Sequence, residues 1–510
     1  MTSATSPPAL APVVEVKERI ELTEIERKIF DRLLSTLRHF DLTDHHHLRV
    51  AGGWVRDKLL GKDCYDIDIA LDNMLGSEFV EKVRDYLLST GEEVQGVAVI
   101  PCNPEQSKHL ETARMRLFDM WIDFVNLRSE EYSDNSRIPT KQKFGTAEED
   151  AYRRDLTINS LFYNINTDSV EDFTKRGIAD LKSGKIVTPL PPKTTFLDDP
   201  LRVLRAIRFG ARFGFLLDEE LKEAASCDEV KDALAAKISR ERIGVEIDLM
   251  ISGNQPVKAM MYICDLMLFW TVFSLPPKFE PTKSEGCDRL CIAYLDATWN
   301  LIHLIGGSTF NLNGMSYQRC PSIYIPGLRE LNIVIHRVVV CCAATAAVVT
   351  LLENLVIPVV NYIFRESLKR KVSDAETVVN VHSALHKFLS LIPFLSSDGD
   401  IQLIEVDWER GLDDVPLTSK LRHFQLDKQR DLFTAVESAI TKLGLEKVWD
   451  VKPLVNGKDI MSVLQLKAGG PLIREWQQKL LVWQLSHPYG TTEEGIDWMR
   501  QTHSKRVKTE

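Results

Sequence analysis

An α/β head followed by all-helical neck, body and tail domains is the architecture this sequence predicts. Three observations lead there. Through about residue 190, short β-prone runs alternate with helical patterns, as in a mixed sheet packed by helices. Beyond the Pro189-Leu190-Pro191-Pro192 break the pattern turns helical and stays so. The 510 residues exceed what one core holds, so three or four domains are expected.

Residues 1–18 are Pro- and Ser-rich without periodicity and are expected to be disordered. A helix follows from Thr23 to Phe40, with Ile25, Ile29, Leu33, Leu34 and Leu37 near helical spacing. The run His45-His46-His47 reads as a solvated loop rather than a metal site. Strands are expected at Leu48–Ala51, Ile67–Leu71, Glu93–Ile100 and Trp121–Asn126, with a helix over Ser77–Leu88. A polar stretch, residues 101–116, interrupts them. The expected domains are a head over 19–190, a neck over 191–260, a body over 261–400 and a tail over 401–510, beginning beyond Ser-Ser-Asp-Gly-Asp (396–400).

Composition narrows the class. Apolar residues make up 44% and charged residues 27%, as in an ordinary globular protein. The net charge is −10, so any polyanion must be met by a local basic patch on an acidic body. Nine cysteines, odd in number and without metal-ligand spacing, point to reduced thiols inside the cell. The cytoplasm is the first expectation; nucleus, mitochondrion or plastid stay open. The N-terminus has neither a signal-peptide core nor the early arginines of a good transit peptide. Residues 338–352 form the most hydrophobic run, but fifteen residues fall short of the roughly 20 that span a bilayer, so a buried element is expected.

The chemistry concentrates in residues 51–70. Gly52 and Gly53 allow close backbone approach to a phosphate, and a short helix from Val55 to Leu60 can turn its N-terminus toward one. Arg56 and Asp57 lie on that helix. Asp66 and Asp68 follow in a β-like stretch, Tyr65–Ala70, where residues i and i+2 share a face. Two carboxylates on one face make a hard oxygen site suited to Mg²⁺. Alone, an Asp-x-Asp is more often a solvated edge and a Gly-Gly a turn; their succession within seventeen residues favours a nucleotidyl-transfer site. Asp123, in the alternating run after Trp121, is available as a third, cross-strand carboxylate.

The string GGxVRDxLLGxxxxDxD formed by residues 52–68 resembles the nucleotidyltransferase superfamily that includes polymerase beta, in the branch of class II CCA-adding enzymes and bacterial-type poly(A) polymerases. Residues 145–165 (GTAEEDAYRRDLTINSLFYNI) resemble its ribose-recognition motif, 171–190 its hinge motif, and 198–215 (DDPLRVLRAIRFGARFGF) its base-recognition helix. The tail, 455–499, resembles that of eukaryotic CCA-adding enzymes. Residues 305–360 match the family poorly.

The resemblance implies an enzyme that adds C, C and A to the 3′ end of tRNA from CTP and ATP without a template. Asp66 and Asp68 would bind two Mg²⁺, one activating the tRNA 3′-hydroxyl and the other stabilising pyrophosphate. Gly52, Gly53 and Arg56 would meet the triphosphate, Arg154 the incoming nucleotide, and Asp155 and Asn159 the ribose hydroxyls. Asp199 and Arg202 would read the base, with Arg205 and Arg208 binding nucleotide or the growing end; the role of Asp198 stays open. Residues 101–116 would be a flexible loop, and tRNA would be held by its acceptor–T arm, with Arg365, Lys369, Arg370 and Lys371 as candidate phosphate contacts. Alternatives are a poly(A) polymerase, an enzyme adding only CC or only A, and a non-catalytic RNA-binding protein.

Base choice has its own chemical logic. Cytosine and adenine share an amino donor beside a ring-nitrogen acceptor, whereas uracil and guanine reverse that order. A carboxylate that only accepts, beside a guanidinium that only donates, separates the two pairs. Asp199 and Arg202 are spaced by one helical turn, and Arg202, Arg205, Arg208 and Arg212 step by three, three and four along one stripe. A basic amphipathic helix with a solvated stripe is the plainer reading of those arginines.

Overall fold

The computed structural model describes residues 14–43, 46–100, 111–133, 136–275, 287–305, 361–376, 452–465, 470–487 and 490–507, with isolated residues between 430 and 438. The described residues fall into two compact units, one holding residues 14–376 and Arg430, the other the described residues from Asp431 onward.

Helix α1 spans Glu24–His39, and its start is set locally. Thr23 and Glu26 form a capping box in which the Glu26 N–H donates to Thr23 Oγ1 and the Thr23 N–H to Glu26 Oε2. Glu26 also accepts from Trp54 Nε1 at 3.0 Å and from Lys58 Nζ at 2.6 Å, a buried network that fixes α1 against α2 (Gly53–Leu59). The expected bounds differ from α1 only at its two caps. For α2 the helix begins two residues earlier than expected, directly at the glycine pair.

The head is a seven-stranded mixed sheet. Its strands are β1 (Leu48–Ala51), β2 (Ile67–Leu71), β3 (Val97–Ile100), β4 (Thr112–Leu117) and β5 (Met120–Asn126), with two further strands named below. Helix α3 (Gly76–Ser89) packs on the buried face against Ala113, Met115 and Phe124. A separate hairpin, β6 (Arg128–Ser133) and β7 (Ser136–Phe144), leads to α4 (Ala147–Tyr152). After a 3₁₀ turn at Thr157–Asn159 come β8 (Phe162–Asn164) and β9 (Ser169–Glu171), so the sheet order is β3-β4-β5-β2-β1-β8-β9. Only β2 and β5 pair in parallel; the other neighbours are antiparallel.

Three expectations are corrected here. The strand drawn from Glu93 begins only at Val97. The polar stretch 101–116 is not one loop, because Thr112–Leu117 is a strand whose Ala113, Met115 and Leu117 are buried while Arg114 and Arg116 face out. The β6–β7 hairpin was not expected at all.

Helix α5 (Gly177–Ser183) leads through β10 (Lys185–Ile186) to α6 (Pro192–Asp198) and α7 (Leu201–Phe213). Strand β11 (Leu216–Leu217) pairs in parallel with β10, a small strand pair inside the otherwise helical region. Helices α8 (Glu219–Ser226), α9 (Asp228–Lys237), α10 (Arg240–Ile251), α11 (Pro256–Asp265), α12 (Phe269–Val272) and α13 (Cys287–Ile305) follow. One apolar core runs from the sheet into these helices, through Phe196, Leu204, Ile207, Ile247 and Phe269. The second unit holds α14 (Gly457–Val463), α15 (Pro471–Ser486) and α16 (Thr492–Val507) around Trp476, Leu480 and Met499.

Cys64, Cys227, Cys264 and Cys291 are free thiols. Among the described residues no helix is long and apolar enough to cross a membrane. The apolar run 338–352, the region 305–360 and the 396–400 boundary lie outside the described residues.

Candidate active site

Strand β1 is followed by a glycine, the N-cap of α2, because a side chain would not fit there. Gly52 has φ +72°, and a Cβ there would lie 2.7 Å from Arg154 Nη1 and 3.2 Å from the Asn159 carbonyl. Gly52→Ala is therefore expected to lose about 1–3 kcal/mol of stability. Equilibrium denaturation of the variant measures it; an unchanged midpoint would mean the loop relaxes without cost.

The open face of the sheet carries the acids. Asp68 on β2 stands opposite Asp123 on β5 in the parallel register, and Asp66 lies one residue before β2 begins. One carboxylate oxygen from each of Asp66, Asp68 and Asp123 lies within 4.8 Å of the others. The pKa of Asp68 is pushed up to about 6 by burial and by the charges of Asp66 and Asp123, against the pull of Arg154 and Arg114. Burial likewise raises Asp123. Three clustered hard oxygen ligands whose burial and mutual repulsion outweigh the pull of the neighbouring arginines at Asp68 suit a divalent cation.

Asp66 and Asp68 open onto a cavity of about 700 Å³. Its walls carry eight arginines: 56, 128, 153, 154, 202, 205, 212 and 242. Most of the remaining wall carboxylates are engaged by them. Arg56 Nε donates to Asp57 at 2.8 Å, Arg154 Nη2 pairs with Asp150 at 2.8 Å, and Arg205 Nε with Asp155 at 2.7 Å. Arg242 Nη2 reaches Asp199 at 3.1 Å. Among the described residues Asp66 and Asp68 have no such ion pair, which leaves them to the cation and the arginines to an anion.

Each predicted residue can now be placed. Gly53, Arg56, Arg154, Asp155, Asn159, Asp199, Arg202 and Arg205 line the cavity; Gly52 and Asp123 do not, Gly52 lying against Arg154 and Asn159 and Asp123 opposite Asp68. Arg56 lies beside both Phe209 and Phe213, at 4.9 and 4.8 Å from the ring centroids, and donates to Asn159 Oδ1. Asp155 is buried. Burial alone would raise its pKa, but Arg205, the Asn159 amide and Arg202 hold it down at about 2.

Two placements differ from expectation. Asp199 is not on the helix with Arg202: it is extended (φ −136°, ψ 97°) at the end of α6, and its Oδ1 accepts the Leu201 N–H at 3.2 Å. Pro200 forces this, since the residue before a proline is driven out of the helical region. Arg208 leaves the cavity and pairs with Glu246 of α10 at 2.6 Å. Each step of three residues rotates a helix position by about −60°, so the stripe has turned away by Arg208.

Sequence reasoning missed Asp150, Arg128, Glu130, Phe209 and Arg242. Asp150 carried a signal, lying three and four residues before Arg153 and Arg154 on α4. Arg242 carried none, because it arrives from α10, far along the chain. Of the suggested phosphate contacts, Arg370 is paired with Asp248 and Lys369 with Glu366.

Comparison with known proteins finds relatives along nearly the whole chain. Residues 48–187 match the poly A polymerase head domain family. Across 96% of its length, and 94% of the relative's, the chain is 34% identical to the mitochondrial CCA tRNA nucleotidyltransferase of Saccharomyces cerevisiae. It is 31% identical to the tRNA nucleotidyltransferase cca2 of Schizosaccharomyces pombe, covering 94% and 99% of the two chains. In fold it is similar to the Thermotoga maritima CCA-adding enzyme complexed with tRNA, with a TM-score of 0.53 at 18% identity over 95% and 97% of the chains.

Proposed function

The chain belongs to the CCA tRNA nucleotidyltransferases, and on that premise we propose how its cavity performs template-independent addition of C, C and A to the 3′ end of tRNA. CTP and ATP are the substrates, and pyrophosphate leaves. The observation that carries this reading is the pair Asp66 and Asp68, left without arginine partners at the mouth of an arginine-walled cavity. A nucleoside triphosphate fits such a wall, and hard carboxylates fit its metal ions.

Asp66 and Asp68, with Asp123 beside them, would hold Mg²⁺, which would supply activation of the RNA 3′-hydroxyl and neutralisation of the departing pyrophosphate. Arg56, with Gly53 beside it, contacts the triphosphate, and its contacts with Phe209, Phe213, Asp57 and Asn159 fix the guanidinium before substrate arrives. Arg154 meets the incoming nucleotide. Among the described cavity residues there is no His or Lys, so no side chain stands out as the general base. Asp199 and Arg202 complement the pairing edge shared by C and A. The tRNA acceptor–T arm is the partner, and the full-length likeness, tail included, favours CCA addition over poly(A) synthesis. The yeast relative is named as mitochondrial, which weights the mitochondrion among the compartments for this chain.

Asp155 and Asn159 hold the ribose hydroxyls. Asp155 Oδ1 already accepts from Leu156 N–H and Asn159 Nδ2, and Oδ2 from Arg205 Nε, so the carboxylate orients the pair as well as offering its free lone pair. Asp155→Asn is expected to reduce the preference for CTP over dCTP about tenfold, the loss of one hydrogen bond. Steady-state kinetics with both nucleotides measures it; unchanged sugar preference would remove Asp155 from ribose recognition.

The decisive assay uses tRNA lacking its 3′ end, Mg²⁺ and each labelled nucleotide singly and together, with the ends then sequenced. CTP alone should give two added cytidines, and CTP with ATP a completed CCA. A long adenosine tract would establish a poly(A) polymerase, a stop at CC or at A a partial enzyme, and no addition an RNA-binding protein.

A further inference from the structure

The cavity accounts for one of the two substrates, the nucleoside triphosphate. The other, an RNA 3′ end, must reach the same carboxylates without passing through the first. The arginine-walled cavity covers the ends of β1, β2 and β5, through Ala51, Ala70 and Val125, and does not reach Trp121, four residues back along β5. Across β5 the sheet continues into β4 and β3 with its open face uncovered by α3.

That open face is a small grid. One row runs Asp68, Asp123, Arg114 across β2, β5 and β4, each opposite the next in the strand register. The row beside it pairs Trp121 with Arg116, and Asp66 borders it just ahead of β2. Trp121 and Asp123 are two residues apart on one strand, so their side chains share a face about 7 Å apart. Trp121 is 41% exposed, a large aromatic surface beside these charged side chains. Arg114 reaches both, with its Cζ 5.5 Å from the Trp121 ring centroid and its Nε 2.8 Å from Asp123 Oδ1. Arg116 sits beside it, half-exposed and paired with Asp119 at 3.2 Å.

We propose that Trp121, Arg114 and Arg116 form a stacking and phosphate-binding platform for the 3′-terminal unpaired nucleotide of the acceptor RNA. The base lies on the indole, the arginines meet the flanking phosphate, and the terminal hydroxyl is thereby delivered to Asp123, outside the cavity that takes the triphosphate. An exposed aromatic ring with neighbouring guanidinium groups is the surface chemistry that single-stranded nucleic acid uses without sequence preference. Tolerance of sequence suits an enzyme whose acceptor ends in a different nucleotide at each step. The core does not require Trp121 to be aromatic: its ring lies over Gly96 and beside Arg114, outside the apolar core cluster.

The proposal rests on the reading of the cavity as a tRNA nucleotidyltransferase site, and its test separates the two. Binding of the full-length protein in EDTA is measured by fluorescence anisotropy with two labelled acceptor hairpins. One ends in a single unpaired 3′ nucleotide and the other is flush with the duplex. Trp121→Ala should weaken binding of the first about 5- to 100-fold, the range of one lost base stack, and leave the flush hairpin unchanged. Trp121→Phe should restore most of it, and Arg116→Glu should weaken it and flatten its salt dependence. With tRNA and Mg²⁺, Trp121→Ala should raise KM for the acceptor while KM for CTP stays constant. Equal weakening of both hairpins, or wild-type affinity in Trp121→Ala and Arg116→Glu, overturns the platform. If Trp121→Ala does not fold, Trp121→Phe and Arg116→Glu decide alone. Failure of the wild-type protein to extend any tRNA would overturn the functional reading, independently of how the hairpins bind.

Discussion

Asp68→Asn is expected to abolish addition of both C and A and, in EDTA, to make the protein more stable above pH 6. The first effect follows from loss of a metal-binding carboxylate, which should cost several kcal/mol of transition-state stabilisation, at least about a thousandfold in rate. The second follows from proton linkage. In the folded chain Asp68 titrates near 6, raised by burial and by Asp66 and Asp123, whereas an unfolded aspartate titrates near its ordinary value. The folded state therefore holds its proton more tightly, and stability falls as pH rises between the two values. Above pH 6 the full penalty is present, on the order of 1–3 kcal/mol. The asparagine variant does not carry it, so the melting temperatures of the two proteins should coincide near pH 3.5 and separate by pH 7. Added Mg²⁺ should close the gap by stabilising only the wild type. An Asp68→Asn protein no more stable than wild type at pH 7 in EDTA would mean that the three carboxylates do not repel one another as their spacing implies.

That carboxylate cluster was legible in the sequence because its geometry is local. Strands β1 and β2 have the bounds the alternation gives, and α1 differs only at its caps, since Thr23 and Glu26 carry their own start signal. The cross-strand role of Asp123 follows once Trp121–Asn126 is a strand, and the register then sets it opposite Asp68. What was hidden was either outward-facing or distant. β4 and the β6–β7 hairpin present arginines, glutamates and lysines, so their pattern reads as polar loop, yet Arg128 and Glu130 are part of the cavity wall. Arg242 and Glu246 reach their partners on or beside α7 across 38 to 43 positions, a pairing no spacing rule contains. Asp199 is a different case. Its departure from the helix was available from Pro200, and the one-turn spacing to Arg202 masked it.

Asp199→Ala therefore tests more than a contact. In the structure Asp199 braces the start of α7 through Leu201 and holds Arg242 at 3.1 Å, and it also faces the cavity beside Arg202, whose Nη2 is tied to the Arg153 carbonyl at 2.6 Å. Loss of the brace alone costs about 1 kcal/mol and should lower the melting temperature whatever the role in selection. If the carboxylate also accepts from the amino group common to cytosine and adenine, its removal weakens CTP and ATP together. At about 1–3 kcal/mol for one mismatched base contact, kcat/KM should fall about 5- to 150-fold for both. UTP and GTP should gain relative to them, because the repulsion between the carboxylate and their carbonyls disappears. Asp199→Asn goes further, since a rotated amide offers those carbonyls a donor, and it should accept UTP better than the alanine variant does. Single-nucleotide incorporation with all four triphosphates separates brace from reader. Reduced activity with wild-type ratios among the four would leave Asp199 as a brace for α7 and move base selection to Arg202 and its neighbours.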